Sequence, residues 1–146
     1  MRCAAAGPTG EPELAAFHLY FYPNDSMQST SAAAVFQVSD LERSLVFYTE
    51  MLGFEKDFVV GSPPFYAGLK RGAVELHLSS SSQSAVRLGQ GSVYLFCDVV
   101  DSFYRDVTQR GATVTSPLDS HDYGMRDFQI KDPDGNLIGF GAPLAP

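Results

Sequence analysis

Two side chains able to do chemistry stand two residues apart in the run Ala73-Val74-Glu75-Leu76-His77-Leu78. Val74, Leu76 and Leu78 alternate with them at the period of a half-buried strand. Glu75 and His77 therefore project from one face, with Ala73, and the aliphatic residues from the other. A carboxylate beside an imidazole can anchor a ligand cation, act as a general base, or supply two ligands to a divalent metal. Two ligands fall short of the three or four protein contacts that a transition metal takes, and only Gln37 and His121 offer to complete such a site. The plainer alternatives stay open: His77 as a cavity histidine hydrogen-bonded to Glu75, and His121, in the run TSPLDSHDYG, as an exposed loop histidine. Burial raises a carboxylate pKa and a neighbouring imidazolium lowers it, so the sequence leaves the sign for Glu75 undecided.

Other catalytic devices are missing from the sequence. Cys97 falls at a strand end with no base in sequence reach and reads as a packed thiol. The serines of SSSSQS, residues 79–84, read as a polar linker. There is no G-x-S-x-G, no phosphate loop and no C-x-x-C. Cys3 and Cys97 are the only cysteines, too few for a disulfide framework or a zinc site, which suggests a reducing cytoplasmic setting.

The elements that must position these residues come in two copies. Residues 35–54, VFQVSDLERSLVFYTEMLGF, lie without a gap over residues 93–112, VYLFCDVVDSFYRDVTQRGA. Val35 then meets Val93, Asp40 meets Asp98, Ser44 meets Ser102 and Gly53 meets Gly111. Each copy reads as a strand, an acidic turn and an amphipathic helix closed by glycine. Ser39-Asp40-Leu41-Glu42 has the form of a capping box, and Leu41, Leu45, Tyr48 and Leu52 recur at helical spacing. In the second copy Val99, Phe103 and Val107 share a helix face. The runs 54–60, 65–70 and 73–78 read as strands, as do 112–116, 126–131 and 137–141, with a strong turn at Asp132-Pro133-Asp134-Gly135-Asn136. Each unit is therefore β-α-β-β-β, in an α+β class, with a cleft expected between the two. Phe36, Val38, Leu45, Phe47 and Phe103 are expected in the helix–sheet core.

At 146 residues the chain suits one compact domain, and its net charge of −7 without a Lys/Arg cluster argues against nucleic acid. No run approaches the ~18–20 apolar residues that span a bilayer, so no membrane partner is expected. Residues 1–30, with the aromatic patch Phe17–Tyr22, stand outside the repeat as an N-terminal extension.

The runs VSDLERSLVFYTEMLGFE, GAVELHL and YGMRDFQIKDPDGNLIGFG resemble the vicinal oxygen chelate superfamily, which includes glyoxalase I, extradiol dioxygenases and the fosfomycin- and bleomycin-resistance proteins. The resemblance covers about residues 31–143 and implies a single domain of two modules, 31–79 and 92–143, joined by a linker at 80–91. It implies that each module curls a mixed sheet into half a cup, closed within one chain or across a dimer. The metal positions of the superfamily fall here on Ala33, Glu75, Ser92 and Gly139. Only Glu75 is a competent ligand, so no metal and no other cofactor is expected. Counting from those positions turns Val35, Gln37, Tyr94, Phe96, Met125, Asp127 and Gln129 inward, with Phe58, Tyr66 and Tyr123 near the rim. The ligand-binding set is then Gln37, Phe58, Tyr66, Glu75, His77, Tyr94, Phe96, Tyr123, Met125 and Gln129, although each aromatic could equally fill core. The resemblance to the bleomycin-resistance branch implies a metal-independent homodimer that binds and sequesters a small molecule. Two readings compete with it: a metal-dependent lyase, isomerase or dioxygenase with Glu75 as catalytic group, and an accessory module whose cup is plugged.

Overall fold

The computed structural model describes residues 27, 29–81 and 86–146, so the aromatic patch Phe17–Tyr22 lies outside the described residues. The larger of the chain's two units, Ala32–Pro146, holds both sheets. The first is built from β1 (Ala33–Gln37), β2 (Glu55–Gly61), β3 (Pro64–Arg71) and β4 (Val74–Ser79) in the order β1-β4-β3-β2. The second repeats that order with β5 (Ser92–Phe96), β6 (Thr113–Ser120), β7 (Met125–Lys131) and β8 (Leu137–Pro143), as β5-β8-β7-β6. In each sheet the first and last strands are parallel and the rest antiparallel. A parallel pair needs a long crossover, which the helix and the hairpin between them supply. These are the two expected β-α-β-β-β units of an α+β fold.

One helix backs each sheet. In β1 the alternation buries Phe36 and leaves Val35 exposed, and in β4 it buries Leu76 and Leu78. Helix α1 (Leu41–Val46) lies over that buried face and helix α2 (Val100–Gln109) over the second sheet, and one apolar cluster runs from Phe36, Leu41 and Tyr48 through to Phe128, Ile130 and Phe140. Phe36, Val38 and Phe103 are in this core, with Leu45 and Phe47 packed against it. Among the described residues, no helix lies on the opposite face of either sheet.

The capping box does not form. Asp40, not Ser39, caps α1, accepting from the Arg43 N–H at 3.0 Å. The Ser39 hydroxyl instead donates to Asp134 in the other module, at 2.6 Å.

The gap-free repeat is also out of register by one residue over its first half. In the structure β1 begins at Ala33 and β5 at Ser92, α1 at Leu41 and α2 at Val100, a spacing of 59. Buried Leu41 thus corresponds to buried Val100, Ser44 to Phe103 and Tyr48 to Val107, while Val99 is 60% exposed and lies before the helix. Beyond the helices the spacing falls to 58, with β2 starting at Glu55 and β6 at Thr113. The extra residue is accommodated in a π-helical turn, Phe47–Met51, that continues α1. The Leu52 N–H reaches the Phe47 carbonyl, and the Phe54 N–H reaches Tyr48 O at 2.9 Å where Ala112 reaches Val107 O in the second module, again at 2.9 Å. A π-turn is the usual trace of one residue inserted into an α-helix. Gly53 and Gly111 fall back into step, both with positive φ of 73° and 91°.

Strand β6 is longer than the sequence suggests. It runs through Pro117 to Ser120, tolerating the proline because it is a sheet edge and the pairing with β7 shifts between Ser116 and Asp119. The edge strand of the first sheet, β2, is exposed along its whole length and carries Phe58, Val59 and Val60 between two shifts of register against β3, at Lys56/Phe58 and Val60/Gly61.

The Asp132–Asn136 turn joins the modules. Asp134 accepts from Ser39, and Asn136 donates to the Gln37 carbonyl at 3.1 Å and accepts from the Gly91 N–H at 2.8 Å. Gly89 passes so close that a Cβ there would collide with the Asp134 carbonyl, and its φ is +67°. Gly89→Ala is therefore expected to cost at least ~2–3 kcal/mol in urea denaturation, since neither backbone can yield. Gly72→Ala, at φ +56° with nothing within 4 Å, is expected to cost only the ~1 kcal/mol of a left-handed alanine.

Candidate functional site

The two faces without helices carry the candidate side chains, in two sets of contacts. On the first sheet, β4 presents His77 and β3 presents Tyr66, whose hydroxyl and the His77 Nδ1 are 2.9 Å apart. Phe58 from β2 stacks on Tyr66 with ring centroids 6.3 Å apart and meets His77 edge-on at 5.3 Å. The Phe58 ring lies over Gly68, where any Cβ would strike it. Phe58, Tyr66 and His77 thus come together as an aromatic box with one polar contact inside it. His77 is not paired with Glu75. Glu75 sits further along β4, across from Ala33 and Lys70, and Lys70 is committed to Asp57 at 2.9 Å.

On the second sheet Tyr94 from β5 lies across β8. A Cβ at Gly139 would be 2.9 Å from its ring, and one at Gly141 would overlap its hydroxyl. The ring reaches β7, where its hydroxyl donates to Asp127 at 3.0 Å. Tyr123 donates to the same carboxylate oxygen at 2.9 Å, and His121 stacks on Tyr123 at 4.8 Å with Nε2 2.9 Å from the other oxygen. The histidine N–H is not aimed along that line, so this is a close contact rather than a directed hydrogen bond. Phe96 packs edge-on to Tyr94 at 5.2 Å and is 74% exposed. Gln129 accepts from Thr115 at 2.9 Å on the same strand as Met125, which is half-buried. Desolvation, and then the hydrogen bond to Asp127, push the Tyr94 phenol up to about 12. Tyr123 moves in the same direction for the same reasons. Both phenols therefore remain donors across the neutral range.

A cleft of about 320 Å³ opens at this cluster, bounded by Tyr94, Ser116, His121, Tyr123, Asp127 and Gln129. Its centre is Asp127, which the strand alternation turns inward without giving it a role. His121 is not the exposed loop histidine of the plainer reading; it is half-buried against Tyr123. The sequence signal for this grouping is slight, because Tyr94 and Asp127 lie 33 residues apart. Gln37 contributes its carbonyl to the module joint and keeps a half-buried side chain on β1. Cys97 is a packed thiol against Gly141, its pKa raised chiefly by burial.

The residues do not fit the metal that the superfamily resemblance implies. Ala33 faces Glu75 across the β1–β4 ladder and offers no donor. At Gly139 the Tyr94 ring fills the space that a ligand side chain would need. Among the described residues, no three His, Cys, Asp or Glu side chains converge.

The chain matches the family described as the Glyoxalase/Bleomycin resistance protein/Dioxygenase superfamily over residues 30–140. No curated protein matches it. Among solved structures it is similar to a superfamily member from Sphaerobacter thermophilus, at 28% identity and TM-score 0.69, covering 80% of this chain and 99% of that one. It is also similar to TnmS3, an antibiotic binding protein from a Streptomyces species, at 26% identity and TM-score 0.68, covering 81% and 98%. The bleomycin-binding protein of Streptomyces verticillus, solved with copper(II)-bleomycin, shares the fold at 24% identity and TM-score 0.65, covering 83% and 100%. The order of strands, the two matching modules and the family match agree: the chain belongs to the Glyoxalase/Bleomycin resistance protein/Dioxygenase superfamily.

Proposed function

We propose that this protein binds a small organic molecule without a metal, in a cup lined by the two helix-free sheet faces, and acts by sequestering it. The observation that carries the reading is the Tyr94 ring lying across Gly139, which puts an aromatic surface where the superfamily resemblance implies a metal ligand. Aromatic walls with a few placed polar groups are the usual make-up of a small-molecule site. The antibiotic-binding description of TnmS3 supports the same reading.

The cup is proposed to close across a homodimer. Val35, Phe58, Val60, Tyr94 and Phe96 are all exposed on the inner faces, and monomeric proteins rarely leave so much contiguous apolar surface in water. A second copy packed over these faces would bury them and deepen the cleft.

Chelator-treated protein is expected to contain no stoichiometric metal and to sediment as two chains. In a thermal-shift screen of aromatic natural products, its ligands are expected to raise the melting temperature equally with and without added Zn²⁺, Mn²⁺, Ni²⁺ or Fe²⁺. Near-stoichiometric metal that disappears in Glu75→Ala would overturn the proposal in favour of metal-assisted chemistry at Glu75.

A further inference from the structure

We infer that the cleft around Asp127 recognises a protonated amine on an organic ligand; this rests on the small-molecule reading above and names the chemistry of one end of the ligand. Asp127 is only 9% exposed. An ionised carboxylate held away from water carries a large desolvation cost unless donors and a countercharge meet it. Here one oxygen accepts from two phenols, Tyr94 and Tyr123, and neither carries a positive charge. The other oxygen has only the His121 Nε2 beside it, in the undirected contact described above.

The surroundings increase the demand for a cation. Among the described residues, no lysine or arginine lines the cleft. Arg126, next in sequence, turns to the opposite sheet face and is held by both carboxylate oxygens of Asp101, at 2.7–3.0 Å. Asp119 on β6 lies directly across the ladder from Asp127 and adds a second negative charge to that face. Across the whole chain the net charge of −7 favours the approach of cations.

A protonated amine meets each of these features. Its N–H donors meet the oxygen that neither phenol reaches, and its charge balances the carboxylate, the strong form of hydrogen bond. The rings of Tyr94 and Tyr123 offer electron-rich faces to the same ammonium group. At about 320 Å³ the cleft has room for the amine and one ring of its scaffold.

The test compares two probes that differ at one group: tryptamine, a protonated amine, and tryptophol, its neutral alcohol counterpart. The chain contains no Trp, so indole fluorescence excited beyond the tyrosine band reports the probe alone. Tryptamine is expected to bind about tenfold more tightly, equivalent to ~1.4 kcal/mol. Asp127→Asn is expected to bring the two affinities together by weakening tryptamine more than tryptophol. Tyr123→Phe, at a position 67% exposed and so safe for folding, removes one donor from Asp127 and is expected to widen the preference by about threefold. Equal affinities in the parent protein would overturn the inference, as would a preference that survives Asp127→Asn. Should Asp127→Asn fail to fold, a preference unchanged or reduced in Tyr123→Phe overturns it. Binding of tryptophol without selectivity leaves the small-molecule reading standing, whereas uptake of neither probe at millimolar concentration overturns that reading and the inference with it.

Discussion

Asp132→Ala is expected to cost the fold at least ~4 kcal/mol of stability. The Asp132 carboxylate is buried at 3% exposure and accepts five hydrogen bonds, each of 2.9 Å. Three come from the backbone of Asp134, Gly135 and Asn136, one from the Asn136 amide and one from the Tyr48 hydroxyl. Hydrogen bonds to a charged acceptor contribute ~1.5–3 kcal/mol each, and removing the acceptor leaves buried donors unpaired. They share one carboxylate and so do not add, but a total loss of at least ~4 kcal/mol follows. Against a usual stability of ~5–15 kcal/mol this is from about a quarter to about four-fifths of the total. Tyr48→Phe removes one donor only and is expected to cost ~1–2 kcal/mol. Urea denaturation of the two variants checks the ranking, and an Asp132→Ala midpoint within ~1 kcal/mol of the parent would refute it. The same network sets the alkaline limit. Burial first, and then Asp132, hold the Tyr48 phenol well above its ordinary 10.0. A group whose pKa is raised on folding lends stability in full below its unfolded value and loses it as pH climbs. Unfolding is therefore expected above pH 10, with Tyr48 ionising only as the chain opens.

Gly139→Glu is expected to reduce ligand uptake by tenfold or more, although it supplies the side-chain type that the superfamily resemblance implies at this position. Its Cβ would stand 2.9 Å from the Tyr94 ring, and the rest of the side chain would need the volume the ring occupies. Tyr94 must swing out, breaking its hydrogen bond to Asp127 and removing the aromatic floor of the cleft. A tenfold loss is ~1.4 kcal/mol, a modest demand for losing one stacking surface and one charge-assisted hydrogen bond. The cost to stability is smaller, because Tyr94 is 41% exposed and has solvent to move into. The displaced phenol is expected to titrate nearer 10.0 than its present value of about 12, which absorbance in the alkaline range can follow. No metal uptake is expected, since Ala33 and Ser92 still offer no useful ligand. In a Tyr94→Ala background the same glutamate is expected to cost much less. An undiminished cost there would show that Tyr94 is not what the glycine makes room for.

Much of the fold was legible because it rests on periodicity. The alternation in Val74–Leu78 matches a strand, and the glycines at 53 and 111 stand just past the helices they were expected to close. The details that failed depend on partners distant in sequence. Ser39 looks like a cap because Glu42 follows it, yet Asp134 in the other module takes its hydroxyl. The repeat seemed gap-free because a π-turn leaves no mark in composition, and matching Gly53 to Gly111 hid the slip on the strand side. Glu75 drew attention as a carboxylate beside a histidine, whereas the structure puts that histidine with Tyr66. Asp127 gains its role from Tyr94, which crosses a strand over two glycines to reach it, and no local pattern encodes that crossing.

The extra residue in the first helix also bears on how a chain with two look-alike halves avoids assembling them wrongly. An ancestral pair of identical modules could exchange strands, β1 for β5 or β4 for β8, at almost no penalty. Here strand and helix keep one phase in the first half and another in the second, as the spacing changes from 59 to 58 across the π-turn. A crossed assembly would feed its second strand one residue out of step with its hairpin partner, turning each side chain of that strand to the opposite sheet face. A single inserted residue thus acts as a key, giving each half its own lock during folding.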